Sequence, residues 1–291
     1  MTIVSIITPT YNRRHLIGES IDSVLSQEVG DYEMIIVDDG STDGTEEYIS
    51  EKYTDPRIKY IKQENRGQNF ARNRGLSEAT GKYICFLDSD DYWPPDKLSK
   101  SLEIFQSHPE VDVVYGDEMI VDESGNEIAK ESIKRYSGRV TAKLLVENFI
   151  GMSAAMVRAE KVLEVGGMDE SIKVADDYSL WLRLSANCNF YYLEETLGYY
   201  RVTGDQISKD ISARLDSNLY IVTNFLEKNP GVISESEKRK ALCQFYSKRV
   251  RLLRNCGRYK QGLSEFFRAL GCNPASLLPW RSLFRLIFPA K

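Results

Sequence analysis

The chain has 291 residues, 42% of them hydrophobic and 28% charged, which is typical of an ordinary soluble protein that can bury a core. No apolar run approaches the roughly 20 residues that span a bilayer, and the five cysteines include no C-x-x-C pair, which favours structural thiols over disulfides or a zinc site. The net charge of −5 hides an asymmetry, because residues 201–291 hold 17 Lys and Arg against 7 Asp and Glu, whereas residues 1–200 are acidic. We therefore expect no nucleic-acid partner for the acidic body, while the basic end suits anionic lipid or another acidic partner.

Short apolar runs alternate with helical patterns over the first 90 residues. They predict strands at 4–7, 34–37, 58–61 and 83–87. Asn12 and residues 41–43 offer N-caps for the first two helices. The alternation predicts an α/β fold with a parallel, doubly wound sheet, in which ligands bind beyond the carboxyl ends of the strands.

Polar clusters follow all four of these strands, so we expect them to meet on one rim. They lie at residues 8–12, 38–43, 65–69 and 88–91. The pattern from 111 to 201 is more mixed, with a helix predicted at 176–186. From about residue 208 onward, helical periodicity dominates.

Three carboxylates, Asp88, Asp90 and Asp91, stand within four residues just after an apolar strand. They would repel one another, and a hard cation such as Mg²⁺ or Mn²⁺ would relieve that repulsion while sharing its remaining positions with substrate phosphates. The alternative is a solvated acidic turn before the next helix. Their place at the end of a strand favours the metal.

Two further clusters each carry a functional and a structural interpretation. Asp39 can accept a hydrogen bond from a nucleobase N–H or a ribose hydroxyl, or it can belong to a turn that caps the next helix. Arg66 or Arg72 can meet diphosphate oxygens, with Gly67 permitting close backbone approach, or these arginines can form the solvated basic face of a helix.

A third acidic region contains the pair Asp176 and Asp177 at the start of a predicted helix. Acidic residues suit the positive end of a helix dipole, which is the structural interpretation. The functional interpretation is a general base that takes a proton from an acceptor hydroxyl. Since neither histidine lies in a convincing catalytic constellation, a carboxylate is the best candidate for a base.

Taken together, six motifs between residues 3 and 201 resemble those of family 2 glycosyltransferases. They stand in the order seen in that family: Pro9-Thr10-Tyr11-Asn12, Val37–Asp43, Asn65-Arg66-Gly67 with Ala71-Arg72-Asn73, Asp88-Ser89-Asp90-Asp91, Gly166–Glu170 and Asp176–Arg183. The resemblance implies the GT-A fold, a doubly wound mixed sheet, here with a helical C-terminal appendage. We expect a catalytic domain at 1–205, with a nucleotide-sugar-binding half at 1–110 and an acceptor-binding half at 111–205, and a basic helical region at 206–291.

The resemblance also implies residues for the sugar donor, a nucleotide-diphospho-sugar for which a UDP-sugar is our expectation. By position, Pro9, Tyr11 and Asp39 would hold the nucleobase, with Tyr11 packing against its face. Asp88, followed by Ser89 in the same motif, would contact the ribose.

The remaining roles concern the diphosphate and the acceptor. Asp90, the last acid of the D-x-D pattern, would ligate Mn²⁺ or Mg²⁺, and Arg66 or Arg72 would assist the phosphates. The base is normally the aspartate of a Glu-Asp pair, and the chain departs from the family by having Asp176 in place of the glutamate. By register the base is Asp177, with Asp176 as the second choice.

These roles imply an inverting, single-displacement transfer to the hydroxyl of a saccharide or a lipid-linked saccharide, in cell-surface polysaccharide or glycolipid synthesis. Two alternatives stay open, transfer to a polyprenyl phosphate and a catalytically silent module that binds nucleotide-sugars.

The C-terminal segment 276–289 mixes apolar and basic residues, with Trp280, Phe284 and Ile287 on one predicted helical face. Such a segment can lie in a membrane interface, or it can pack on the preceding helices. The N-terminus lacks the basic region of a secretory signal. We therefore expect a cytoplasmic protein that is either free or peripheral on the cytoplasmic face of the membrane.

Overall fold

A computed structural model describes residues 2–130, 133–204 and 210–288 of the chain. The first 110 residues alternate strands and helices, as the apolar runs predict. The strands are β1 (Val4–Thr10), β2 (Tyr32–Asp38), β3 (Ile58–Lys62) and β4 (Tyr83–Phe86). The helices are α1 (Ile17–Leu25), α2 (Thr45–Lys52), α3 (Gln68–Glu78) and α4 (Lys97–Ser107). All four strands are parallel, in the order β3-β2-β1-β4, so their carboxyl ends share one rim.

The next 90 residues extend this sheet and make it mixed. Their strands are β5 (Val113–Val121), β6 (Glu127–Lys130), β7 (Ala155–Arg158) and β8 (Phe190–Arg201). Their helices are α5 (Thr141–Leu144), α6 (Ala159–Glu164) and α7 (Asp176–Ser185). Strand β7 joins β4 to β5 with antiparallel pairing on both sides, β6 pairs antiparallel with β5, and β8 pairs parallel with β5.

Helices cover both faces of this sheet, which explains why the central strands show apolar runs without alternation. Every residue of β1 and β2 is buried. Ile6 and Met34 belong to one apolar cluster with α1 and α4, whereas Ile7 and Phe86 belong to the other, with α7. The rim above the strands is thus held by two packed layers.

The rest of the chain is helical, as its periodicity predicts. It forms α8 (Ile211–Lys228), α9 (Glu235–Asn255), α10 (Tyr259–Cys272) and α11 (Leu277–Ile287). Phe225 of α8 and Phe245 of α9 are buried in the same cluster as Trp181 of α7. In contrast, α10 and α11 pack on α9 through a small cluster around Phe266 and Leu286. The division at 205/206 stays a prediction, and that position lies outside the described residues, as does residue 289 of the C-terminal segment.

No helix in the described part of the chain combines the length and the apolar character needed to cross a bilayer.

The prediction that Asn12 caps α1 is wrong. Asn12 has a positive φ of 53°, and its side-chain oxygen accepts a hydrogen bond from the backbone N–H of Thr42 at 2.8 Å. Helix α1 begins later, at Ile17, and has no side-chain cap. Among residues 41–43 it is Asp43 that bonds the first turn of α2, by accepting from the backbone N–H of Thr45 at 3.2 Å. A contact between two loops therefore takes precedence over the local capping rule.

Candidate active site

A cleft of about 1200 Å³ opens at the carboxyl ends of β1, β2 and β4. The N-terminus of α7 and the helices α8 and α9 form its other side. All ten site residues expected from the sequence line this cleft: Pro9, Tyr11, Asp39, Arg66, Arg72, Asp88, Ser89, Asp90, Asp176 and Asp177. Four separate polar clusters therefore meet in one place, as the parallel order of the strands requires.

Tyr11 and Asp39 stand at the β1–β2 end of the cleft. Tyr11 is 48% exposed, so its ring is open to a ligand. The buried Asp39 carboxylate accepts hydrogen bonds from the Gln63 side chain at 2.7 Å and from the backbone N–H groups of Arg66 and Gly67 at 3.0 and 2.7 Å. Asp39 thus shapes the loop before α3 and does not cap α2. Gly67 has a φ of 99°, which few side-chain-bearing residues adopt.

Arg66 remains at the surface of the cleft, with its guanidinium 4.0 Å from the centre of the Phe70 ring. This stacking holds an exposed cation at the start of α3 without neutralising it. Arg66 is therefore well placed to meet an anionic ligand.

Arg72 has a different environment, because it is 3% exposed and lies between two carboxylates. Its Nη2 donates to Asp88 at 2.6 Å, and its Nη1 donates to Asp176. Burial lowers the pKa of Arg72, but the Asp88 and Asp176 carboxylates outweigh burial and raise it. Arg72 is thus the internal counter-ion of the cleft, and of the two arginines only Arg66 is open to a diphosphate.

The acidic turn after β4 does not present its three carboxylates to one point. Asp91 is buried and accepts hydrogen bonds from the Ser153 hydroxyl at 2.6 Å and from the backbone N–H of Arg201 at 3.0 Å. Burial, followed by the charges of Asp90 and Asp88, raises the pKa of Asp91 well above its usual range. The expectation that one cation relieves the repulsion of the whole triplet is therefore corrected: Asp91 serves the structure of the turn.

Metal binding at this turn rests on Asp90, which lines the cleft and is partly exposed. No group of three or more His, Cys, Asp or Glu side chains that could hold a metal ion occurs among residues 2–130, 133–204 and 210–288. Mg²⁺ and similar hard cations are commonly bound by one or two carboxylates plus substrate phosphates and water. The donor set of this turn fits such a cation, with phosphates completing the coordination.

Asp176 and Asp177 open α7 but have different environments. Asp176 is 7% exposed and is paired with Arg72. Asp177 accepts a hydrogen bond from the Asn148 amide at 2.7 Å. Burial, followed by the charge of Asp176, raises the pKa of Asp177 to about 7. Burial also raises the pKa of Asp176, against the lowering effect of Arg72. The Asp176 carboxylate is thus already bonded to an arginine, whereas Asp177 can accept a proton near neutral pH.

Three further residues of this site were not expected from the sequence. Asn148 orients Asp177, Ser153 holds Asp91, and Arg201 donates its Nε–H to the backbone carbonyl of Asp90 at 3.0 Å. Each contact joins residues that are far apart along the chain. Only Arg201, a buried cation that ends the apolar strand β8, shows an unusual residue type in its local pattern.

The sequence comparisons place this chain in a known family. The family described as "Glycosyl transferase family 2" matches residues 5–165. Bacillus subtilis TuaG, described as a putative teichuronic acid biosynthesis glycosyltransferase, is 34% identical over 211 residues, covering 72% of this chain and 82% of TuaG. Escherichia coli chondroitin synthase is 32% identical over 231 residues, covering 78% of this chain but only 33% of the synthase. The chain belongs to the family 2 glycosyltransferases and is a transferase enzyme.

Solved structures support the same fold. Staphylococcus aureus TarS 1–349 in complex with UDP-GlcNAc aligns with a TM-score of 0.75 at 19% identity, covering 97% of this chain and 87% of that one. The mannosyltransferase PcManGT of Pyrobaculum calidifontis, in complex with GDP-Man and Mn²⁺, aligns with a TM-score of 0.55 at 18% identity, covering 99% and 76%. The fold is GT-A, with a mixed sheet and C-terminal helices, as expected from the motifs.

The buried position of Arg72 leads to a stability prediction. Arg72→Ala should lower the free energy of unfolding by about 3–5 kcal/mol, because it leaves two carboxylates without their shared counter-ion. Arg72→Lys should lower the free energy of unfolding by less, since it keeps the charge but lacks the planar guanidinium that bridges both partners. Denaturant unfolding measures the effect. Arg74→Ala in the same helix is the control, because Arg74 is 51% exposed; equal losses for the two alanine variants would contradict the role of Arg72.

Proposed function

We propose that this glycosyltransferase moves a sugar from a UDP-sugar to a hydroxyl of a saccharide or lipid-linked saccharide, with inversion, in polysaccharide or cell-envelope glycan synthesis. The observation that carries the proposal is the pair of environments at the start of α7, where Asp177 has a pKa of about 7 beside an arginine-held Asp176. A base that titrates near neutral pH suits proton removal from an alcohol as it attacks. The descriptions of TuaG and chondroitin synthase support a polysaccharide product.

The donor would occupy the β1–β2–β4 side of the cleft. Pro9, Tyr11 and Asp39 would hold the nucleobase, with the exposed Tyr11 ring packing against its face. Asp88, which is partly exposed despite its bond to Arg72, would accept from a ribose hydroxyl. The neighbour structures that contain UDP-GlcNAc and GDP-Man support a nucleotide-sugar of this kind.

The diphosphate would lie between Arg66 and Asp90. Asp90 would hold Mn²⁺ or Mg²⁺, and such an ion supplies Lewis-acid stabilisation of a departing diphosphate. Arg66, which also lines the cleft, brings a second positive charge. The turn that carries Asp90 is fixed from behind by Ser153 and Arg201, so the carboxylate is positioned before the donor arrives.

The acceptor hydroxyl would attack the anomeric carbon from the α7 side, opposite the leaving diphosphate. Asp177 would take its proton, while the Asn148 amide fixes the orientation of the carboxylate. Asp176 is the weaker candidate for the base, because its carboxylate already bonds Arg72. This arrangement favours direct displacement by the acceptor with inversion of the anomeric centre.

Helix α11 supports a second part of the proposal, peripheral contact with an anionic membrane. Leu286 and Pro279 are buried against the neighbouring helices, whereas Trp280, Phe284 and Ile287 are 51%, 62% and 59% exposed. The packing interpretation therefore holds for one face of the helix, and the exposed face is the one that would lie in a membrane interface. Apolar side chains flanked by arginines, with a Trp among them, are typical of a helix that lies in the interface of an anionic bilayer.

Asp177→Asn should reduce transfer by at least about 10²-fold and leave UDP affinity unchanged, because it removes the proton acceptor without touching the donor side. In the unaltered protein, transfer should rise as the pH increases through about 7, since the carboxylate acts only when deprotonated. Initial rates across pH measure both effects. Glu164→Gln, exposed on α6 and outside the cleft, is the control. Near-normal transfer by Asp177→Asn would rule out the base assignment.

Asp90→Ala should remove the part of UDP binding that depends on Mn²⁺, because the variant lacks the carboxylate proposed to hold the cation. The thermal shift caused by UDP, measured once in the presence of Mn²⁺ and once in the presence of EDTA, gives the difference. Asp31→Ala, an exposed carboxylate before β2, should behave like the unaltered protein. An unchanged Mn²⁺ effect in Asp90→Ala would contradict this site.

The double variant Trp280→Ser with Phe284→Ser should lower partitioning onto phosphatidylglycerol vesicles by about tenfold or more, because two exposed apolar side chains are lost. Vesicle co-sedimentation measures this partitioning, and neutral phosphatidylcholine vesicles serve as the uncharged comparison. Leu163→Ser removes an exposed apolar side chain from α6 and is the control. Absence of binding by the unaltered protein to anionic vesicles would remove the membrane proposal.

A further inference from the structure

The side of the cleft opposite the donor is lined by cations from three elements. Lys173 stands on the loop before α7, Arg214 on α8, and Lys248 and Arg249 on α9. These basic residues share one cleft with the proposed base, Asp177. The basic C-terminal region therefore contributes directly to the cleft wall that an acceptor would meet.

Two short connections fix these cations relative to the base. The Ser217 hydroxyl of α8 donates to the backbone carbonyl of Val174 at 2.6 Å, which ties Arg214, one turn earlier, to the loop that carries Lys173. On the other side, Lys248 is paired with Glu147. Glu147 directly precedes Asn148, whose amide bonds Asp177. The cationic wall thus adjoins the place where the acceptor hydroxyl would be deprotonated.

The four cations differ in how far the protein already neutralises them. Arg249 is buried and bonds the carbonyl of Leu215 and the carboxylate of Glu265, and Lys248 has its partner Glu147. Lys173 and Arg214 are exposed, and their side chains have no hydrogen bond or ion pair with any residue that the structure describes. Two cations therefore face the cleft with their charge uncompensated.

The same wall contains a buried polar atom with nothing to bond. The side-chain oxygen of Asn218, on the helix that carries Arg214, is shielded from solvent and has no partner among the described residues. Buried polar groups in folded proteins are nearly always satisfied, so this oxygen is available to a donor such as water or a ligand hydroxyl. A saccharide hydroxyl supplies one, which suits a glycan at this wall.

We propose that the acceptor is an anionic glycan, whose carboxylate or phosphate groups are recognised by Lys173 and Arg214. The assignment rests on the proposed function, since it names the substrate class for the acceptor side of the same cleft. An acidic body would repel such a polymer, and a local cationic wall at the catalytic end offsets this and orients the chain toward Asp177. Charge on the acceptor is thus a specificity determinant.

The test compares labelled oligosaccharides that differ in charge. The probes are an oligogalacturonate, the same oligosaccharide after reduction of its carboxyl groups, and an oligo(glycerol phosphate), measured by fluorescence anisotropy with and without UDP and Mn²⁺. Both charged probes, or the one whose spacing of anionic groups matches Lys173 and Arg214, should bind at least about tenfold more tightly than the neutral one. Lys173→Glu with Arg214→Glu should abolish that preference, and raising the salt concentration should weaken it.

The matched control is Lys228→Glu with Lys240→Glu, which makes the same charge change at exposed positions of α8 and α9 outside the cleft and should keep the preference. Equal binding of charged and neutral probes by the unaltered protein would overturn the proposal. So would a preference that survives the double charge reversal, or binding of polyprenyl phosphate in micelles by a protein that binds neither charged glycan. UDP affinity is measured separately. Absence of UDP binding would therefore contradict the proposed function and not the charge preference.

Discussion

The active-site cleft depends on one buried cation. Arg72 projects from α3 between the turn after β4 and the first residue of α7, and it bonds a carboxylate on each side. Without it, Asp88 and Asp176 would repel one another and draw apart. With it, two halves of the fold that are about a hundred residues apart in the chain are held at a fixed distance. Arg72 also distinguishes the two aspartates by contact, since it bonds the carboxylate of Asp176 and not that of Asp177. Burial raises the pKa of both carboxyl groups against the lowering effect of Arg72.

A second fixed point lies behind the acidic turn. Asp91 is accommodated inside the protein by Ser153 and the backbone of Arg201, and Arg201 in turn reaches the carbonyl of Asp90. The turn is therefore anchored from β8 and from the loop before β7, outside the four parallel strands β1 to β4. Positioning a carboxylate before a ligand arrives avoids the cost of ordering it during binding. Both anchors come from residues that form no part of the acidic motif itself.

Much of this architecture follows from local patterns in the sequence. The apolar runs predict the four parallel strands, and their spacing puts the polar clusters on one rim, which is why ten expected site residues do share a cleft. Local patterns fail where a distant partner decides the outcome. The sequence predicts Asn12 as a helix cap, yet its side-chain oxygen accepts a hydrogen bond from the backbone N–H of Thr42 in another loop. The local sequence predicts Arg72 as a phosphate ligand or a solvated surface residue. Its burial cannot be predicted locally, because it arises from the packing of α7 beside α3. Asn148 gives no signal at all, because its role is defined by a partner 29 residues further on.

The packing of the C-terminal helices has a consequence for how such enzymes diverge. Because Phe225 and Phe245 are part of the same apolar cluster as Trp181, α8 and α9 cannot be exchanged for those of a relative without also repacking the centre of the catalytic domain. By contrast, α10 and α11 rest on a small cluster of their own. Exchange of that outer pair would leave the large cluster intact and would have to preserve the partner of the buried Arg249, Glu265 of α10, while the inner pair must evolve residue by residue along with α7. Lineages that share this arrangement should therefore accumulate changes faster in α10 and α11 than in α8 and α9.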